Sequence, residues 1–271
     1  MGARPLGSAI CLFLAVAASS STPGAAWEST VTAGPPGPFP PPRSFIANYR
    51  FGWNGFTAAT AEVHFTKSSR DRFQLDGTGH TIGLVRALWR MDVTYHAVCD
   101  ASRLRPLEVE QIENVRSKKI VTKLDFTGEG VTRRRSESKD GSAAPKPKQF
   151  NFPNLFDLHT SLFYVRSQTL RAGSVHRIVV YPATSAYLAT IIVRGREEIS
   201  IPAGNFNAIK LDLQLSKVGK NGELEPHRKF RRATAWISDD ADRVVLRIEA
   251  QIFVGTVFAE VQSVHFEAAK K

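Results

Sequence analysis

Apolar and polar residues take turns along most of the chain from Phe45 onward. In "TAEVHFT", Ala61, Val63 and Phe65 share one side of an extended segment, with Glu62, His64 and Thr66 on the other. "AIKLDLQLS" sets Ile209, Leu211, Leu213 and Leu215 against Lys210, Asp212 and Gln214. "RVVLRIEAQ" sets Val244, Leu246, Ile248 and Ala250 against Val245, Arg247 and Glu249. A period of two with one apolar side predicts antiparallel sheet whose other face meets water. Turn residues punctuate the runs: Asn221-Gly222, a Pro202/Gly204 pair, and the acidic turn Asp239, Asp240, Asp242. About a dozen strands follow at roughly 8–12-residue spacing, the signature of a sandwich or barrel. The expected fold is mainly β, a large curved antiparallel sheet or open β-barrel, built as a single domain over residues 45–266.

One segment breaks the alternation. In "NFPNLFDLHTSLFYVRSQTL", Leu155, Leu158, Leu162 and Val165 recur at helical spacing, and Phe156 and Phe163 widen the stripe. With Asn154 as N-cap and Asp157 near the positive end, the pattern predicts a helix from Asn154 to Val165. A weaker candidate runs from Thr81 to Arg90, interrupted by Gly83. A helix with one apolar face in an all-β domain must lie against a sheet or plug a barrel mouth. These are the one or two short covering helices.

The N-terminus changes the compartment. Arg4, the apolar run Ala9 to Ala18 and small residues up to Ala26 predict a signal peptide over residues 1–26. The run is shorter than the roughly 20 residues of a membrane-spanning helix. Residues 27–44 hold "TAGPPGPFPPPRS" and predict a Pro-rich extended tether. Cys99 is then the single cysteine after the signal and reads as a buried small hydrophobe. Export without a disulfide points to a bacterial envelope, periplasmic or extracellular. Lys and Arg number 36 against 25 Asp and Glu, so anionic partners are favoured. Residues 133–148, basic and Ser/Pro-rich, predict a mobile loop.

Chemistry-bearing motifs are scarce. The seven histidines are scattered singly, with no zinc-binding spacing, and no nucleophile elbow or phosphate-binding glycine pattern occurs. Asp157, His159 and Ser161 suggest a relay, but residues two apart on a helix point in different directions. Asp239, Asp240 and Asp242 lack the rest of a calcium loop and read as a turn. No catalytic residue, metal ligand set or cofactor is expected.

Four stretches in order resemble the bacterial envelope family known as domain of unknown function 3108. They are "YRFGWNGFTAATAEVHF", "FDLHTSLFYVRSQTLRAGSVHRIVVY", "EEISIPAGNFNAIKLDL" and "ATAWISDDADRVVLRIEAQIFVGTVFAEV". The resemblance spans about Phe45 to Val264 and implies a β-rich, signal-bearing protein with no agreed activity. It supplies no catalytic residues to carry over.

An amphipathic helix amid strands, in a basic exported chain, points to a non-catalytic envelope binding protein holding a lipid or other apolar ligand. Phe156, Leu158, Leu162, Phe163, Phe230 and Trp236 are the expected ligand contacts. Arg228, Lys229, Arg231 and Arg232 would meet a headgroup or polyanion; a solvated strand end accounts for the same cations. The alternative is a structural adaptor or assembly factor binding an envelope protein or an anionic wall polymer. A hydrolase of envelope polymers is the third reading. A membrane surface is an eligible partner; nucleic acid is not expected.

Overall fold

The computed structural model describes residues 26–32, 34–68, 71–139, 144–226, 232–252 and 255–267. The signal-peptide expectation therefore falls almost wholly outside the described residues. The strands are β1 Phe45–Trp53, β2 Phe56–Lys67, β3 Arg72–Thr81, β4 Met91–Asp100, β5 Arg105–Val115, β6 Lys118–Thr127, β7 Gly130–Ser138 and β8 Lys146–Asn151. After them come β9 Val175–Val180, β10 Tyr187–Ile201, β11 Gly204–Val218, β12 Leu224–Pro226, β13 Arg232–Ser238, β14 Val245–Ile252 and β15 Gly255–Phe266. Helix α1 is Gly83–Leu88, between β3 and β4, and α2 is Leu158–Ser167, between β8 and β9.

Among the described residues, the 15 strands form one antiparallel sheet, in the order β8-β7-β6-β5-β4-β3-β2-β1-β15-β14-β13-β11-β10-β9, with β12 paired to β11. The mainly β, curved-sheet expectation holds. The first strand sits between its neighbour and the last, so that Phe45 faces both Phe65 and Phe266 across the ladders. The sheet curls until its two ends share a core: Leu124, Phe126 and Val131 pack with Val179, Tyr181 and Leu188. The Arg133 guanidinium, donating to the Thr184 carbonyl at 3.3 Å, helps tie the ends. β8 and β9 stay unpaired with each other, so the barrel is open.

Helix α2 crosses the interior. Its N-cap is Asp157, not Asn154: the Asp157 carboxylate accepts from the Thr160 N–H at 2.7 Å while Thr160 Oγ1 accepts from the Asp157 N–H at 3.1 Å. Asn154 lies earlier, in a left-handed turn with φ +58°. A Pro at 153 and that turn hold Leu155 and Phe156 in an extended lead-in, where Phe156 makes a bridge to Val180. From α2, Tyr164 and Val165 enter the core of Ile178, Ile191 and Leu211. Phe163 goes the other way, its ring 4.8 Å from Phe65 and 6.3 Å from Phe73. The helix thus joins opposite walls of the sheet.

Three expectations are corrected. The Pro-rich stretch is no tether but a strap docked on α2 and β9. The Thr32 N–H donates to the Arg177 carbonyl (2.8 Å), the Gly34 N–H to Tyr164 Oη (3.0 Å) and the Gly37 N–H to Ser167 Oγ (2.9 Å). Arg43 closes it with two hydrogen bonds to the Asp242 carboxylate, at 3.0 and 2.6 Å. Proline lacks the N–H that would extend a strand, so side chains and neighbouring residues do the docking. The basic 133–148 stretch is likewise strand at both ends, where Arg133–Arg135 pair with Lys146–Lys148 across β7 and β8; residues 140–143 of the expected loop lie outside the described residues. Composition predicted a loop there, but alternation against β6 decides it. Last, Val244, Leu246, Ile248 and Ala250 do not share one face throughout. A bulge sets Ile237 opposite Val245 but Trp236 opposite Arg247, so Val245 joins Ile248 inside and Leu246 joins a separate cluster.

The strap gives a direct test. A Cβ on Gly37 would lie 2.2 Å from the Ser167 carbonyl oxygen. Gly37→Ala is expected to lower stability by about 2 kcal/mol, read as a lower urea midpoint at unchanged m-value.

Candidate functional site

Two adjoining cavities flank α2: one of about 610 Å³ against the curved wall of β1 to β5, and one of about 200 Å³ that extends to β11, β13 and β14. Phe51, Val63, Leu75 and His159 line both. The floor of the larger follows from the strand register. Ala61, Gly79 and Val93 stand side by side across β2, β3 and β4, and Val63, Gly77 and Tyr95 form the next row. Two glycines and two alanines (Ala59, Ala61) leave room where bulky residues would fill the curve. Leu158 and His159 of α2, with Pro182 and Ala183, form the opposite wall. The smaller cavity is lined by Phe45, Tyr49, Leu162, Phe163, Leu211, Ile237, Val245 and Ile248, with Arg166, Asp242 and Arg243 also on its wall.

A second polar cluster reaches the larger cavity through Tyr95 and His159, with Asp157 buried behind them. The Tyr95 hydroxyl donates to Asp157 Oδ2 at 2.9 Å. The His159 Nδ1 stands 3.7 Å from the same oxygen, an ion-pair distance and not a hydrogen bond, and its ring packs 4.4 Å from that of Tyr95. Burial pushes the Asp157 carboxyl up, but the His159 partner and the Thr160 donors outweigh it and hold it below the usual carboxylate range. Burial, then the Asp157 charge, pushes the Tyr95 phenol well above its ordinary value, so it remains a donor. The helical argument against an Asp157–His159 approach fails because Asp157 is an extended N-cap residue. Of the hydroxyl and thiol groups nearby, Thr160 donates to the Asp157 carboxylate. Burial pushes the Cys99 thiol up to about 12, and the Ser161 hydroxyl donates to the Leu158 carbonyl at 2.6 Å. The cluster can serve as a hydrogen-bonding anchor inside an apolar cavity.

The expected ligand contacts are divided by the structure. Leu162 and Phe163 line the smaller cavity, and Leu158, half-exposed, lines the larger. Phe156 is fully buried beneath the Arg105 guanidinium, 4.0 Å from its ring, and belongs to the core; its lead-in turns it away from the stripe the sequence suggested. Trp236 is buried in a separate cluster with Leu246 and Val261, its indole N–H donating to Glu197 at 2.6 Å. Alternation along β13 sets it on the face opposite Ala235 and Ile237, away from the cavities. Arg228, Lys229, Phe230 and Arg231 lie outside the described residues, and Arg232 is placed only as the start of β13 opposite Gln251. The three acidic turn residues are engaged: Asp240 accepts from Ser238, Asp242 and Arg243, while Arg196 holds Asp239 and Arg43 holds Asp242. Sequence reasoning passed over Gly77 and Gly79; two glycines inside an otherwise regular strand, "DGTGH", were the available signal.

Residues 48–262 match the sequence family described as Protein of unknown function (DUF3108). No curated protein matches the chain. Among solved structures, a beta-barrel-like protein of domain of unknown function DUF1849 from Brucella abortus has a TM-score of 0.55 at 6% identity. That alignment covers 85% of this chain and 100% of the other, and shows a shared fold. A candidate lipoprotein of Parabacteroides distasonis aligns at TM-score 0.34 and 9% identity, over 86% of this chain and 100% of that one. A candidate exported protein with a YmcC-like fold from Bacteroides fragilis aligns at 0.31 and 11%, over 85% and 99%. The last two are too distant to bear on this fold.

Proposed function

The chain belongs to the DUF3108 family of proteins of unknown function, and from that premise and the geometry above we propose that it is an exported, non-catalytic carrier of a lipid acyl chain. The acyl chain enters the cavity between α2 and the β2–β4 wall, and its polar end meets Tyr95 and His159, which Asp157 holds from behind. One observation carries the reading: a cavity of about 610 Å³ whose floor is kept open by Gly77, Gly79, Ala59 and Ala61. Its volume falls within the roughly 300–1,000 Å³ of small-molecule sites, which are mainly apolar with a few polar groups. An envelope location rests on the signal-like N-terminus. Adaptor function through the sheet edge has weaker support, because β8 carries Lys146, Pro147 and Lys148, residues that discourage strand addition.

Binding of an anthroyloxy-labelled fatty acid to delipidated protein tests the reading. Ala61→Phe fills the floor and is expected to weaken binding about tenfold or more, with the melting temperature nearly unchanged. Native mass spectrometry of protein extracted mildly from its host is expected to show an added lipid mass. Empty protein in the spectrometer, together with no probe binding by the wild type, removes the proposal.

A further inference from the structure

Large apolar side chains that remain exposed are not scattered over this molecule. Among the described residues there are eight; six of them sit at the β1–β2 turn and on α1 with its following residue, and the other two, Phe51 and Leu158, line the cavities. Phe56 is 77% exposed, Leu84 76% and Leu88 70%, with Trp53 and Trp89 beside them. Strand order makes these two elements neighbours: the Ile82 N–H, just before α1, donates to the Ala58 carbonyl of β2 at 2.9 Å. Single exposed apolar residues are ordinary, but a contiguous set marks a surface that meets something. None of Phe56, Leu84 or Leu88 lines a cavity, so lining does not explain them.

The next turn at this end, between β5 and β6, is basic. The Arg116 N–H donates to the Arg90 carbonyl at 2.8 Å, and the Arg116 guanidinium lies 4.0 Å over the Trp89 ring. Arg86, Arg90, Arg116, Lys118 and Lys119 stand here against Asp92, Glu113 and Glu137. Asp92 pairs with Arg86 and Arg90, and Glu137 with Lys118. Tryptophan with leucine and phenylalanine, ringed by cations, is the composition of an interfacial membrane anchor. A second copy docked by a two-fold axis would bring the same cations together, whereas an anionic lipid surface complements them. The larger cavity also reaches this end, where Phe51, Ala59, Thr81 and Met91 line it.

We propose that the β1–β2 turn and α1 form a docking surface for anionic lipid bilayers. The apolar side chains enter the headgroup–acyl boundary while Arg90 and Arg116 meet lipid phosphates. Docking in this pose turns the cavity mouth toward the bilayer. The surface stands on its own residues and holds whether or not the cavity takes a lipid.

Flotation with vesicles of phosphatidylglycerol and phosphatidylethanolamine, against phosphatidylcholine alone, reads it out on chain purified from cells expressing the full sequence. Binding to the anionic vesicles, weakened by salt, is expected. The triple variant Phe56→Ser, Leu84→Ser, Leu88→Ser is expected to lose about tenfold or more in partitioning. Arg90→Gln with Arg116→Gln should lose the preference for anionic vesicles. Quenching of tryptophan emission by brominated lipids should vanish in Trp53→Phe with Trp89→Phe. The triple variant must keep fatty-acid probe binding, and Ala61→Phe must keep flotation, which separates this surface from the cavity. The proposal is overturned if the triple variant floats like wild type, or if quenching survives loss of both tryptophans. It is equally overturned if sedimentation shows a wild-type dimer that the triple variant abolishes.

Discussion

Asp157→Ala is expected to cost the fold about 4 kcal/mol, read as a large fall in the urea midpoint. The carboxylate is 1% exposed and does three things at once. It caps α2 through the Thr160 N–H, an interaction worth about 1 kcal/mol. It accepts from Tyr95, whose buried hydroxyl would otherwise cost about 1–3 kcal/mol unsatisfied. It also sits across from His159. Asp157→Asn keeps a cap and an acceptor and should lose only part. The pH dependence has a definite sign. The folded carboxyl is held below its ordinary value of 3.8, so its contribution is complete above about pH 4 and drains as pH falls through the folded value. The Asp157→Asn variant should therefore show a flatter stability curve in acid than wild type.

Arg166→Met is expected to lower stability by about 3 kcal/mol. Its guanidinium donates to the carbonyls of Asp242 (2.7 Å), Pro40 (2.6 Å) and Ala241 (3.2 Å), joining α2, the strap and the β13–β14 turn. Burial and then the charge of Arg243 push it down to about 10, which leaves it charged at neutral pH. Arg243 returns the tie by donating to the Arg166 and Gln168 carbonyls at 2.6 and 2.8 Å. Arg166→Lys should recover only a fraction, because a single ammonium cannot span three diverging acceptors. Limited proteolysis is expected to cut faster between Thr32 and Arg43 in Arg166→Met than in wild type.

The period-two pattern was enough to place β2, β11 and most other strands, because one wet face forces alternation at every second position. It could not place the bulge in β14, where one extra residue puts Val245 with Ile248 and sends Leu246 to the other cluster, against the strict period. The helix was legible as an element but not in its start. A single left-handed residue at Asn154 shifted the cap by three positions and moved Phe156 from ligand wall to core. The cavity floor depends on which small residues share a row across three strands, and register is a property of pairing, invisible along one segment. The strap was hidden for a similar reason, since its partners Arg177 and Asp242 are distant in sequence.

The pairing of β1 with β15 has a consequence for how the molecule is made. Until the final segment has been synthesised, Phe45 to Trp53 presents a bare row of amide and carbonyl groups on one side. Such high contact order implies acquisition of structure in milliseconds to seconds, slow beside a helical bundle. A chain that lacks β15 is left with a sticky edge that invites aggregation.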